Sequence, residues 1–347
     1  MLIIRPIRES DYDALYAIAK ESGIGFTSLP VNEKLLRKKI TDAQLAFASN
    51  PSEPGAQSYL FVMEDSETGE VVGTSGIEAT VGLQDAFYHY HVSKVVHASR
   101  ELGVHNTVDI LSLGNDYTGV SEICTLFLRE KARKGLNGRL LSKFRFLFMA
   151  QHPHRFSDTV FAEMRGISDE NGKSPFWEWL EKHFFSVDFP TADYLTGIGN
   201  KVFIAELMPK YPIYINLLSK EAQAAIGKVH EKTKPALRLL QQEGFKNRGY
   251  VDIFDAGPTI EADVANITTV RNSKARKVLI KANFSSENAR QYIVINNEIA
   301  NFRACLAPVQ ISEAGEAVMS QETADALLLD PNTDNIVRLT ACAAKTS

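Results

Sequence analysis

The sequence predicts an α+β fold, with a mixed-sheet region over residues 1–262 followed by a small β-barrel over residues 263–347. Three observations carry that expectation. Between Ser121 and Ala150 an apolar run, residues 123–128, leads into the glycine turn Gly135-Leu136-Asn137-Gly138 and then into a run with helical spacing. Ahead of it the pattern reads strand, two helices, hairpin. Behind it, after about Glu261, short β-rich runs alternate with polar turns as in a small barrel.

Taken in order, residues 2–7 form the first strand, and Ser10 or Asp11 caps a helix through Glu21 with Leu15, Ile18 and Ala19 on one face. The loop from Gly23 to Pro30 is apolar for a surface turn; it touches substrate or is tucked against the core by Phe26 and Leu29. Asn32 caps a second helix to about Ser49, and Pro51 to Gly55 breaks it. Residues 59–65 and 71–79 are the strands of a hairpin closed by Ser66-Glu67-Thr68-Gly69-Glu70. Residues 81–119 form an insertion holding His89, His91, His97 and His105. His89-x-His91 has metal-ligand character on an alternating strand, but no acid or cysteine sits at ligand spacing, so no metal is expected.

In the helix after the glycine turn, Leu136, Leu140, Leu141, Phe144, Leu147 and Phe148 share one face. Residues 159–165 are a strand with Glu163 and Arg165 on the same side, and residues 176–185 an aromatic helix. Residues 202–207 read as a strand, 220–230 and 235–243 as helices, and 250–254 as a strand closed by Asp255-Ala256-Gly257-Pro258. The barrel strands fall at 277–282, 291–296, 302–311 and 337–342, with 343–347 frayed.

Composition narrows the function. The 347 residues are 44% hydrophobic and 23% charged, as in a soluble protein, and a net charge of −4 argues against nucleic acid as a partner. No apolar run approaches the roughly 18 residues of a membrane span. The start, MLIIRPIRESD, lacks the plan of a signal peptide. Three scattered cysteines (Cys124, Cys305, Cys342) make neither a disulfide framework nor a zinc site, which fits a reducing cytoplasm.

Strand, glycine turn and helix together make a phosphate-binding arrangement, because glycines let the backbone come close and the first helical turn offers unpaired N–H groups. From Arg129 to Arg145 seven basic residues stand against one acid, Glu130. A solvated helix face beside an ordinary turn fits the same spacing. The Gly-Lys-[Ser/Thr] ending of a P-loop is missing. The stretch resembles the pyrophosphate loop of GNAT acyltransferases, Arg/Gln-x-x-Gly-x-Gly/Ala: Arg133 and Gly138 match, and Leu136 stands where the first glycine belongs. The order of elements up to this helix is also the GNAT order.

Longer runs are more specific. GFTSLP (25–30), FVMEDSETGEVVG (61–73), SEICTLFL (121–128), NGRLLSKFRFLFMA (137–150), AEMRG (162–166), SPFWEWL (174–180), FIAELMPKYPIY (203–214), IGKVHEKTKPA (226–236) and DIFDAGP (252–258) resemble the arginine N-succinyltransferase family. The resemblance covers nearly all of residues 1–260 and is looser beyond. It implies a GNAT-like domain with a small C-terminal barrel, and transfer of succinyl from succinyl-CoA to the α-amine of L-arginine. It implies no permanently bound cofactor, and a homodimer or an oligomer of related subunits. The family's proton donor falls on His230 and its succinyl-CoA contact on Leu126.

On that resemblance the pantetheine arm runs along the Leu126 backbone, and the pyrophosphate sits over Gly135 to Gly138 with Arg133, Lys134 and Arg139 as nearest cations. His230 protonates the leaving sulfur; otherwise it is a polar residue ending an amphipathic helix. Arg165 is of a type to meet a carboxylate, and Glu163, Asp252 or Asp255 a guanidinium. Cys124 reads as a core residue. Two other readings stand beside this one: a GNAT-like acyltransferase for ornithine or another amine, and a non-catalytic acyl-CoA-binding subunit of a mixed oligomer.

Overall fold

Strands supply most of the framework. The computed structural model describes residues 1–23, 26–169, 172–197, 199 and 202–342. The expected fray at 343–347 lies outside them, as do Ile24 and Gly25 of the apolar loop. In chain order the strands are β1 (Leu2–Pro6), β2 (Ser58–Asp65), β3 (Val71–Glu78), β4 (His89–Ser99), β5 (Val104–Gly114), β6 (Ser121–Leu128), β7 (Thr159–Glu163), β8 (Ile213–Tyr214), β9 (Lys246–Val251), β10 (Pro258–Asp263), β11 (Lys274–Lys281), β12 (Arg290–Ile295), β13 (Ala304–Ile311), β14 (Ala317–Ser320) and β15 (Ile336–Ala341). They pair in the order β12-β15-β11-β14-β13-β1-β2-β3-β6-β7-β10-β9-β4-β5-β8, and β12 also pairs with β13. That last pairing closes β11 to β15 into a five-stranded barrel, which joins the main sheet through Ile3↔Cys305 and Ile4↔Ala304.

Helices α1 (Tyr12–Ser22), α2 (Glu33–Ala48) and α3 (Asn137–Gln151) pack on the main sheet. Asn32 caps α2 by accepting the Leu35 N–H at 3.2 Å, and Leu36, Ile40, Ala43 and Phe47 bury its inner face. The expected single apolar face of α3 is too narrow a reading. Ser142, Arg145, Phe146 and Met149 are buried as well, because the sheet covers one side of the helix and the barrel and the helix Thr268–Asn272 cover others. Phe302, just before β13, meets Phe61, Phe144 and Phe148 at ring distances of 5.4, 5.9 and 5.0 Å. Barrel and main sheet therefore share packed aromatic side chains.

The insertion at 81–119 is the β4–β5 hairpin, which extends the sheet beyond β9 through Tyr90↔Val251 and His91↔Tyr250. Its His89 is buried against the rings of Tyr117 and Tyr250.

Three local expectations are corrected. Residues 202–207 form a helix (Val202–Leu207) that buries Ile204 in a second apolar cluster; a short apolar run without alternation is ambiguous between helix and strand. The helix begun at Lys220 stops at Ala225, well before His230. The strand expected at 250–254 is β9, ending at Val251, after which residues 252–257 turn into β10.

Candidate active site

Two parallel strands that part company create the site. β6 and β7 pair only at Ser121↔Val160 and Glu122↔Phe161. Beyond that point β6 is bent by a bulge: its pairing with β3 slips between Thr74 and Gly76, and Thr125 adopts φ 54°. A β-branched residue in the left-handed region is strained, and it stays there because the surroundings hold it. The Thr125 carbonyl accepts the Thr74 hydroxyl at 3.1 Å. Gly73 admits the close approach, since a Cβ there would lie 2.7 Å from the Phe127 carbonyl oxygen. The Leu126 side chain packs against the main core, so what it offers at the opening is backbone.

At the C-terminal end of β6 lies the glycine turn. Gly135 takes φ 56°, and neither Gly135 nor Gly138 has a neighbour within 4 Å of where a Cβ would stand. Helix α3 begins at Asn137 with no side-chain cap and no acid in its first turn, which leaves its positive end available to an anion. Arg133 is exposed, and its Nε donates to the Leu128 carbonyl at 2.7 Å, holding the guanidinium beside the Phe127 ring. Lys134 is exposed at the same turn.

The other basic residues are less concentrated than their spacing suggests. Arg129 pairs with Glu21, Lys131 with Glu70, and Lys143 with Glu243. Arg145 is buried in α3, donating to the Ser142 carbonyl at 3.0 Å. Arg139 is half-buried and faces Cys342, on the side of α3 toward the barrel's last strand. Cys124 is a packed thiol whose pKa burial pushes up, which does not suit a nucleophile.

At the matching end of β7 stands His230. Gly166 bridges to Val229, and the His230 N–H donates to the Arg165 carbonyl at 2.9 Å. His230 is thus the residue before a short turn, Glu231–Thr233, rather than the end of a helix. Its Nδ1 accepts the Lys232 N–H at 3.2 Å, which places the proton of the neutral ring on Nε2. Partial burial, then the positive charges of Arg165 and Lys232, lower its pKa below the ordinary imidazole value. The imidazole is therefore a neutral N–H donor at cellular pH.

Beneath this turn lies Asp255, which is buried. Its carboxyl accepts the N–H groups of Gly166 (2.6 Å) and Gly257 (2.8 Å). Asp252 accepts those of Phe254 and Asp255 at 2.7 and 2.8 Å. Burial and the neighbouring Asp252 carboxylate hold Asp255 well above the usual carboxyl range. Asp255 therefore braces the backbone that carries His230, a larger part than the turn former its sequence suggests. The apolar loop arrives from the other side: Phe26 packs on Phe127, Leu29 is buried, and the Thr27 hydroxyl donates to Asp193.

Because β6 and β7 run parallel, Leu126, Arg133, Gly135 and Gly138 gather at the same edge of the sheet as His230. Arg139 is turned toward the barrel. Sequence reasoning missed the Thr125 bulge; Gly73 and Gly76, two glycines inside one β-rich run, were its available signal.

Known proteins show the same assembly. The chain matches the family described as arginine N-succinyltransferase beta subunit over residues 2–269, and that family's C-terminal domain over residues 276–336. The arginine N-succinyltransferase subunit beta of Pseudomonas aeruginosa is 46% identical over 343 residues, covering 99% of this chain and 96% of that one. The arginine N-succinyltransferase of Yersinia pestis is 47% identical, covering 94% of each. A solved structure, the arginine/ornithine succinyltransferase subunit AI of Pseudomonas aeruginosa, superposes with a TM-score of 0.90 at 36% identity over 99% of both chains. Correspondence of this extent runs through the strands of the opening, the glycine turn and the barrel alike, and by it the chain belongs to the arginine N-succinyltransferase beta subunit family.

Proposed function

We propose that this protein transfers the succinyl group of succinyl-CoA to the α-amine of L-arginine, releasing N2-succinyl-L-arginine and CoA. Succinyl-CoA is a co-substrate here, and no permanently held cofactor takes part. The observation that carries the reading is the placement of His230 at the end of β7, across the opening from the bulged edge of β6 and the glycine turn. The pantetheine arm lies along the Leu126 backbone, and the pyrophosphate meets Gly135, the Gly138 N–H and Arg133. Arg139 takes part only if it swings away from Cys342.

An α-amine titrates near 8 and is partly free at neutral pH, whereas a guanidinium above about 12 is not, so the α-nitrogen is the nucleophile. Its lone pair attacks the thioester carbonyl, the C–N bond forms, and the tetrahedral intermediate collapses with loss of the C–S bond. The proton that the amine gives up ends on the thiol. His230 Nε2–H gives the sulfur a hydrogen bond as negative charge builds there and keeps its own proton.

In this reading the protein acts in the cytoplasm, a compartment that keeps thiols such as its three free cysteines reduced. It acts as a homodimer or with a related subunit. The solved relative from Pseudomonas aeruginosa is named for ornithine as well as arginine, so ornithine is the acceptor to compare. Free-thiol release by the purified protein from succinyl-CoA or acetyl-CoA, with arginine, ornithine or neither, tests the reading. Arginine-dependent release from succinyl-CoA is expected. Release with ornithine alone would change the acceptor, and no release with either donor would leave a non-catalytic subunit.

A further inference from the structure

Among the described residues several buried arginines have no carboxylate partner: Arg145 and Arg303 donate to neutral oxygens, and the Nε of Arg155 is buried with no hydrogen-bond partner. Arg5 is clamped by Asp11 and Glu64, Arg155 donates to the Tyr59 hydroxyl and the Ser49 carbonyl, and Arg145 turns back on Ser142. Arg165 differs from these in its place, since its carbonyl accepts the His230 N–H at the candidate site. It is half-buried at the C-terminal end of β7, and its Nη2 donates to a neutral partner, Ser168 Oγ, at 3.0 Å. Its Nε is buried with no hydrogen-bond partner, and no carboxylate lies within 4.0 Å of the guanidinium among the described residues.

The acids around it are engaged elsewhere. Both oxygens of Asp255 accept backbone N–H groups, and Asp193 is held by Thr27. A guanidinium removed from water without a directly paired anion is costly: burial lowers the Arg165 pKa, and the more distant charges of Asp255 and Asp193 offset this only in part. The position of this unmet charge matters. The carbonyl of the same residue holds the His230 backbone, and the two side chains sense each other's charge. Hence the guanidinium stands next to the place where the thioester carbonyl must come. A succinyl group carries its free carboxylate two methylenes, about 4 Å, from that carbonyl.

We propose that Arg165 is the donor-specificity residue: its guanidinium binds the free carboxylate of the succinyl group, selecting a dicarboxylic acyl thioester over acetyl-CoA. This rests on the succinyl-CoA reading above. The Nε–H and the remaining Nη donors supply a charge-assisted fork for the carboxylate, and Ser168 sets the plane of the fork. The bound carboxylate relieves the buried charge, and acetyl-CoA has nothing to offer it.

The test compares wild type with Arg165→Gln and Arg165→Lys, measuring kcat/KM at saturating arginine and Kd without acceptor, for succinyl-CoA and for acetyl-CoA. Loss of a charged hydrogen-bonded contact predicts that Arg165→Gln weakens succinyl-CoA by about 10- to 100-fold while acetyl-CoA binding stays within about twofold. Arg165→Lys recovers part of the preference. Equal losses on both donors would overturn the proposal, because an arginine that merely positions His230 acts on either thioester. An unchanged preference in both variants would overturn it too. If Arg165→Gln shows no cooperative unfolding transition, the donor ratio of Arg165→Lys decides in the same way. Wild type that releases no thiol from succinyl-CoA would remove the parent reading itself, a result distinct from any change of ratio in the variants.

Discussion

A histidine that accepts a backbone N–H on Nδ1 is committed to one tautomer, and this is the most informative residue-scale fact about His230. Partial burial, then the charges of Arg165 and Lys232, lower its pKa, and protonation at Nδ1 must also break the bond to Lys232. The direction gives a signed expectation for pH. With arginine saturating, kcat stays flat through the ordinary imidazole range and falls only at more acidic pH, where the ring takes up a proton and Nδ1 loses its acceptor role. An imidazolium acid would give the opposite trend, with kcat rising as pH drops through that range. The pH profile of kcat from about pH 5 to 9 separates the two, and His230→Ala should lower kcat by about 10²- to 10³-fold with little change in the Kd of succinyl-CoA. Full turnover in that variant would remove His230 from the chemistry. The residue itself was legible only through the GKVHEKT run, because its setting depends on two partners, Arg165 and Lys232, and spacing alone identifies neither.

At the scale of the element, the glycine turn shows what charge patterning conveys and what it conceals. Seven basic residues over 17 positions read as one cationic patch, yet Arg129, Lys131 and Lys143 are spent on ion pairs and Arg145 faces inward. Charge is counted along the chain, whereas pairing depends on Glu21, Glu70 and Glu243, each far away in sequence and on another element. What remains at the mouth of the turn is Lys134 and Arg133, the latter anchored to the Leu128 carbonyl, while Arg139 turns toward Cys342. Arg133→Glu should therefore raise the KM of succinyl-CoA about tenfold, by removing one charged contact and adding a repulsion, and leave the KM of arginine alone. Lys131→Glu, at a residue occupied by Glu70, is the control and should do much less. A short thioester such as succinyl-pantetheine, which lacks the pyrophosphate, should not sense Arg133→Glu; if it loses as much as succinyl-CoA, the arginine acts on the strand and not on the nucleotide.

For the whole molecule, periodicity and turn chemistry made the hairpin β2–β3, the capped helix α2 and the strand–turn–helix readable, since local signals determine them. The barrel itself was readable from its short, evenly spaced strands, but which strands pair to close it, its seam with β1 and the burial of α3 on nearly every side were not, because they depend on residues far apart in sequence. That seam bears on how the molecule unfolds. Residues 1–262 and 263–347 are proposed as two regions, but Phe302 lies fully buried against Phe61 of β2 and Phe144 and Phe148 of α3. Truncation of such a ring removes its transfer free energy and leaves a cavity, a cost of about 3–5 kcal/mol. If the two regions fold as one unit, Phe302→Ala should shift a single transition to lower urea, with tryptophan fluorescence, which reports Trp177 and Trp179 in the N-terminal region, moving together with far-UV circular dichroism. If the barrel is energetically independent, the dichroism should split into two steps and the fluorescence midpoint should stay where it is in the wild type. Because α3 carries the glycine turn at one end and Phe144 and Phe148 along its length, the coupled outcome also predicts weaker succinyl-CoA binding in Phe302→Ala, far from any contact with the donor.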